Sequence, residues 1–147
     1  MIFFDASAVA KRYFLEIGSD GVNELWSGTE IFSSLAILHC ELRSALNRRR
    51  RERALPRGAY STLKEQIQQD IKKIHLVPVH PELIQLSLRL LDSHPLKAVD
   101  SLYLAGALGL QHALKEPVLF VSADRQLLQA AQAERLRTLN PEMTTGS

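Results

Sequence analysis

The chain has 147 residues, 46% of them hydrophobic and 23% charged, with a formal net charge of +2. That is the length of one domain, long enough to bury a real core, and the composition is that of an ordinary globular protein. The longest apolar stretches carry charges well short of a membrane span, Asp5 and Lys11-Arg12 interrupt any secretory leader, and the single cysteine, Cys40, excludes an internal disulfide and a cysteine zinc cluster and fits a reducing cytoplasm.

The first segment, Ile2-Phe3-Phe4-Asp5, is an apolar run that ends in a carboxylate. Absence of alternation predicts a strand buried on both faces, as in a parallel sheet. A helix over Ala8–Leu15 follows, and Glu16-Ile17-Gly18-Ser19 breaks it. Ser19 or Asp20 caps a short helix through Val22, Leu25 and Trp26, and Glu30-Ile31-Phe32 is a short strand. From Leu35 to Leu55 the apolar positions Leu35, Leu38, Leu42, Ala45 and Leu46 recur at three and four, which predicts an amphipathic helix. Pro56 stops it and falls in the first turn of the next helix, Arg57–Ile74.

His75–Val79 reads as a strand, and Pro78 places it at an edge or ends it early. Pro81 opens a leucine-rich helix, His94–Lys97 is a loop, and Ala98–Ala113 is a helix whose small residues imply close packing. Pro117–Val121 is a buried strand, Arg125–Glu134 a helix and Leu136–Leu139 a last edge strand. Residues 142–147 read as a flexible tail. Strands alternating with helices predict a single α/β domain over residues 1–141. Its expected form is a central, doubly wound parallel β-sheet of about five short strands with helices on both faces.

Two strand ends are twins. Phe3-Phe4-Asp5-Ala6-Ser7 and Phe120-Val121-Ser122-Ala123-Asp124 each close an apolar strand with an acid and a hydroxyl two residues apart. Ligands in parallel α/β sheets bind beyond the carboxyl ends of the strands, so central placement of both strands brings Asp5 and Asp124 to one edge. Glu41 and Asp100 lie in apolar surroundings, where acids are unfavourable. Each acid has a plainer reading: Asp5, Asp100 and Asp124 also suit helix caps, and Glu41 suits a solvated pair with Arg43 or Asn47. Clustered carboxylates raise one another's pKa values, and a divalent cation removes the penalty. Oxygen-only ligands favour Mg²⁺ or Mn²⁺, which serve hydrolysis of phosphate esters.

In order, Asp5-x-Ser7, Glu41-Leu42-x-x-Ala45-Leu46, Asp100-Ser101-Leu102-Tyr103-Leu104-Ala105 and Val121-Ser122-Ala123-Asp124 resemble the motifs of a PIN domain. More narrowly, they are similar to those of the VapC toxins of type II toxin–antitoxin modules, and the resemblance covers about residues 2–141. It implies a Mg²⁺- or Mn²⁺-dependent endoribonuclease with Asp5, Glu41, Asp100 and Asp124 around the metal and Ser7 and Ser122 supporting. Where this chain has Ser122 the family more often has threonine, so the hydroxyl is kept. The resemblance also implies a homodimer and a small VapB-like antitoxin over the active-site groove, with Val9, Tyr13 and Phe14 offering an apolar face.

From Arg43 to Lys73 there are ten Lys/Arg against Glu52, Glu65 and Asp70. Arg48, Arg49, Arg51 and Arg53, with Lys11 and Arg12 near Asp5, are candidate phosphate contacts for RNA. Four consecutive arginines spread around a helix, so not all face one substrate, and a solvated helix end is the competing reading. The histidines His39, His75, His80, His94 and His112 show no metal-ligand spacing, and Tyr103 reads as core. Two other functions compete. One is an aspartyl-nucleophile phosphatase or phosphotransfer domain built on Asp5, although Ser7 stands where such phosphatases carry a second aspartate. The other is a non-catalytic RNA-binding PIN-like protein, against which the presence of all four acids argues.

Overall fold

The computed structural model describes residues 1–143 of the chain. Five short strands form one all-parallel sheet: β1 (Ile2–Phe4), β2 (Phe32–Leu35), β3 (His75–Val77), β4 (Leu119–Val121) and β5 (Arg137–Leu139). Their order is β3-β2-β1-β4-β5, so β1 is central with β4 beside it, as the doubly wound reading requires. Phe3 is registered with Ser33 and Phe120, and Phe4 with Val121. The ladder runs one residue further, because the Asp5 N–H donates to the Val121 carbonyl at 3.1 Å.

Successive side chains of a strand point to opposite faces, and β1 feeds two cores in this way. Phe3 packs with Leu35, Tyr103, Leu104, Phe120 and Leu127. That face is covered by α5 (Pro81–Ser93), α6 (Ala98–Leu114) and α7 (Arg125–Ala133). Ile2 and Phe4 pack with Val9, Leu38, Leu42, Leu46 and Ile67. The covering helices there are α1 (Ala6–Ala10), α3 (Leu38–Arg51) and α4 (Ala59–Ile71). Each large apolar side chain so buried stabilises the fold by about 1.5–3 kcal/mol. Gly106 lets α6 approach the sheet, since a Cβ there would lie 3.1 Å from the Phe3 ring.

Several boundaries differ from the sequence reading. The first helix ends at Ala10 rather than Leu15. Beyond it Lys11 turns inward to accept burial, and Leu15 stands 95% exposed. Strand β2 covers Phe32–Leu35, not Glu30–Phe32, so Leu35 closes a strand instead of opening a helix. The serines concealed it: Ser33 and Ser34 are fully buried because their hydroxyls donate to the Ile2 carbonyl at 2.9 Å and the Phe4 carbonyl at 2.7 Å. A buried hydroxyl without such a partner would cost about 1–3 kcal/mol.

Pro56 lies outside α4, which starts after Gly58 at φ 83°, a left-handed conformation glycine adopts freely. The helix α2 (Ser19–Trp26) is likewise preceded by left-handed Gly18 rather than capped by a side chain. At the other end, Pro141–Met143 form a 3₁₀ turn, so the domain reaches past 141. Residues 144–147 of the expected tail lie outside the described residues. No helix among the described residues is long and apolar enough to cross a membrane.

Candidate active site

The connections β1–β2–β3 progress one way across the sheet, and β4–β5 lie on the other side of β1. The direction therefore reverses between β1 and β4, and a crevice opens there at the carboxyl ends. The twin turns meet in it. Asp5 caps α1, with Oδ1 accepting from the Ala8 N–H at 3.0 Å. Ser7 Oγ donates to the same carboxylate at 2.8 and 2.9 Å, and Ser122 Oγ reaches across from β4 to Asp5 Oδ2 at 2.7 Å. The Asp124 N–H donates to Ser122 Oγ at 3.0 Å, and the Ala123 N–H to Ser7 Oγ at 3.3 Å. Asp124 in turn caps α7 through the Leu127 N–H at 3.0 Å. Asp5 and Asp124 are thus both helix caps and members of one network, so the two readings of each are compatible.

The other two acids come from helix first turns, Glu41 in α3 and Asp100 in α6. Asp5 is 3% exposed, and its carboxyl is pushed up to about 6. Burial is the largest cause and the Asp100 charge adds to it, while hydrogen bonds from Ser122, Ala8 and Ser7 oppose it. Asp100 is also raised above the ordinary carboxylate range, first by burial, then by Asp124 and Glu41, with Lys97 opposing. Asp100 is therefore the acid that links the group, acting on Asp5 and acted on by Asp124 and Glu41. Among the described residues none of the four takes part in a salt bridge. Glu41 Oε1 is buried without a hydrogen-bond partner. As placed, no three His, Cys, Asp or Glu side chains among the described residues converge closely enough to hold a metal ion.

The donor set fits a hard cation even so. It is all carboxylate oxygen, it has surplus negative charge, and its protonation is shifted in the direction a cation would reverse. Tyr103 is a residue that sequence reasoning read as core. It is 1% exposed, yet its hydroxyl lies in the field of Glu41, Asp5 and Asp100 and makes no well-formed hydrogen bond. The signal was its place three residues after Asp100, on the same helix face.

The candidate RNA contacts divide. Lys11 is 5% exposed and donates to Glu142 at 2.9 Å, Glu16 at 3.2 Å and the Ile17 carbonyl at 2.7 Å. Arg12 bonds Asp70 at 3.0 Å and lies over Trp26 at 4.5 Å. Both cations are engaged by partners within the fold, although Lys11 also lines the groove that runs from Ser7 to Arg48. Arg49 lies over Phe14 at 4.1 Å and near Glu16 at 3.4 Å, and Arg50 over Tyr60 at 3.9 Å. Arg48, Arg51 and Arg53 are exposed. A groove of about 470 Å³ leads from Ser7 and Ala123 at the acid site past Ala10 and Ala45 to Arg48 and Arg49.

Val9, Tyr13 and Phe14 are buried, although Tyr13 and Phe14 line a second groove of about 680 Å³ together with Leu15, Leu55 and Leu63; Leu15 and Ile17 are 95% and 73% exposed. The histidines form no site: His94, for example, bonds Glu134 at 2.7 Å, and His80 caps α5.

No protein-family model matches the sequence. Over 138 residues the chain is 28% identical to two curated proteins of Mycobacterium tuberculosis, ribonuclease VapC45 (strain CDC 1551 / Oshkosh) and ribonuclease VapC49 (strain ATCC 25618 / H37Rv), with 93% of each chain covered. Among solved structures, a chain of a toxin–antitoxin complex from Klebsiella pneumoniae superposes with a TM-score of 0.59 and 10% identity, over 96% of this chain and 98% of that one. At that identity the likeness speaks for the fold.

Proposed function

We propose that this chain, a PIN-domain protein of the VapC type, is a divalent-cation-dependent endoribonuclease and the toxin of a toxin–antitoxin pair. Relatives named ribonuclease along 93% of the chain support the nuclease reading, and the fold shared with a chain of a toxin–antitoxin complex supports the pairing. The observation that carries the chemistry is the switch-point crevice, where Asp100 is coupled to Asp5, Glu41 and Asp124 and none of the four forms a salt bridge among the described residues.

Asp5, Glu41, Asp100 and Asp124 would hold Mg²⁺ or Mn²⁺, after the side-chain adjustment that brings them onto one ion. When bound, the metal would neutralise the scissile phosphate and activate water for in-line attack. Ser7 and Ser122 fix the Asp5 carboxylate by bonds of 2.7–2.9 Å. The aspartyl-nucleophile reading has less support, because Ser7 stands where such phosphatases carry a second aspartate. The groove toward Arg48 and Arg49 is the reading's RNA path, binding phosphates without reading sequence. Leu15 and Ile17 are its contact for the antitoxin.

Sequencing of RNA ends after brief expression tests the reading. Wild type should create new ends at a restricted set of sites, and Asp5→Asn should create none. Identical end profiles would contradict it.

A further inference from the structure

Two buried polar atoms near the acid cluster have no partner: the Glu41 carboxylate oxygen Oε1 and the Tyr103 hydroxyl. Leaving one such group unpaired costs about 1–3 kcal/mol, and buried polar groups are paired almost without exception. Tyr103 is 1% exposed and among the largest fully buried side chains, so water does not satisfy it. A phenylalanine would fill the same space without the penalty. Of the acids around it, Glu41 bears on the hydroxyl most strongly, ahead of Asp5 and Asp100. A phenol keeps its proton at neutral pH and so is a donor. Glu41, as a carboxylate, can only accept. The two orphans are therefore complementary, and they sit on different helices, α3 and α6.

We propose that Tyr103 is a positioning residue for the metal site: its hydroxyl donates to Glu41 Oε1 and fixes the carboxylate that faces the cation. The inference rests on the proposed metal-dependent function and assigns to one buried phenol the ordering of one ligand. A hydrogen bond from a neighbour to a ligating carboxylate orients it, and loss of such partners lowers metal affinity by about 10–100-fold. The contact differs from those at Asp5, whose carboxylate is already held by two serines and a backbone N–H. Glu41 has no equivalent support elsewhere among the described residues, so its orientation falls to Tyr103.

The test is Mn²⁺ titration calorimetry on the full chain, with wild type, Tyr103→Phe, Glu41→Gln and the double variant. Tyr103→Phe should weaken Mn²⁺ binding about tenfold or more. In the Glu41→Gln background the same change should have little further effect, because the partner is already altered. Unchanged Mn²⁺ affinity in Tyr103→Phe would overturn the inference and leave the metal-dependent reading standing. A drop in metal-free stability without loss of affinity would do the same, making Tyr103 a core residue only. Wild type that binds no Mn²⁺ would overturn both.

Discussion

Two clusters of charge are built on opposite terms. Around α1, charges are matched: Lys11 with Glu16 and Glu142, and Arg12 with Asp70, which also accepts from Tyr13 at 2.9 Å. At the carboxyl edge, Asp5, Glu41, Asp100 and Asp124 are gathered with no cation paired to any of them. Matched buried charges order the fold: Lys11 is held charged against its burial by Glu142 and Glu16. Unmatched ones do the reverse: burial first, and then the neighbouring acids, raise both Asp5 and Asp100. On the proposed reading a bound cation supplies the missing charge.

The sharpest way to break this contrast is to remove one acid from each cluster. Asp5→Asn or Asp100→Asn should lower RNA cleavage by at least about a hundredfold, with no loss of metal-free stability; thermal melts beside cleavage assays check both. Asp70→Asn should act oppositely. It strands Arg12 and Tyr13 and should cost about 2 kcal/mol or more, discounted from a fully buried pair because Arg12 is partly solvated. Cleavage per folded molecule should hold. If Asp5→Asn unfolds the chain and Asp70→Asn spares it, the assignment of the two clusters is reversed.

The next effect is on pH. Asp5 is raised from 3.8 to about 6 in the folded chain, so the folded state holds its proton more tightly than the unfolded state. The associated stability is fully present below about pH 4 and is lost as pH rises through about 6, a change of about 3 kcal/mol. Metal-free wild type should therefore lose stability relative to Asp5→Asn across that window. Added Mn²⁺ should reverse the loss in wild type alone, since a ligand that binds only the folded state stabilises it. Parallel denaturant melts of the two proteins from pH 4 to 7 read this directly; parallel pH dependences would remove the electrostatic account of Asp5.

The smallest effect concerns the arginines. Replacing Arg48 and Arg51 by Gln should reduce the salt dependence of RNA binding by about one unit of slope per lost contact. Stability should not change, because neither forms an ion pair among the described residues. Replacing Arg12 should leave the slope alone and lower stability. Filter binding titrated against salt separates the two.

The sequence made the contrast half visible. The twin strand ends identified Asp5 and Asp124 because a buried parallel strand reads as an unbroken apolar run, and its last residue is placed at the sheet edge by topology alone. The central place of β1 beside β4 was readable for the same reason, whereas Glu41 and Asp100, which lie in helices, were singled out only by their apolar sequence neighbours. Strand β2 was not, because Ser33 and Ser34 look like loop residues until their acceptors on β1 are known. Nor was the fate of Lys11 and Arg12. Their proximity to Asp5 in sequence implied proximity to substrate, whereas partners at Asp70 and Glu142, 58 and 131 residues away, claimed them. Long-range pairing of that kind leaves no local pattern. Tyr103 was hidden by its own burial, since an apolar ring on an apolar helix face reads as core whatever its hydroxyl touches.

On the proposed reading, the unmatched acids work through a divalent cation on RNA. That reading is tested most directly by incubating the purified full chain with a mixed cellular RNA pool in Mn²⁺, in Mg²⁺ and in EDTA, with Asp100→Asn alongside. Cleavage by wild type in either metal, abolished by EDTA, restored by excess Mn²⁺ and absent in Asp100→Asn throughout, is the predicted result. Cleavage that persists in EDTA, or that Asp100→Asn retains, would contradict it.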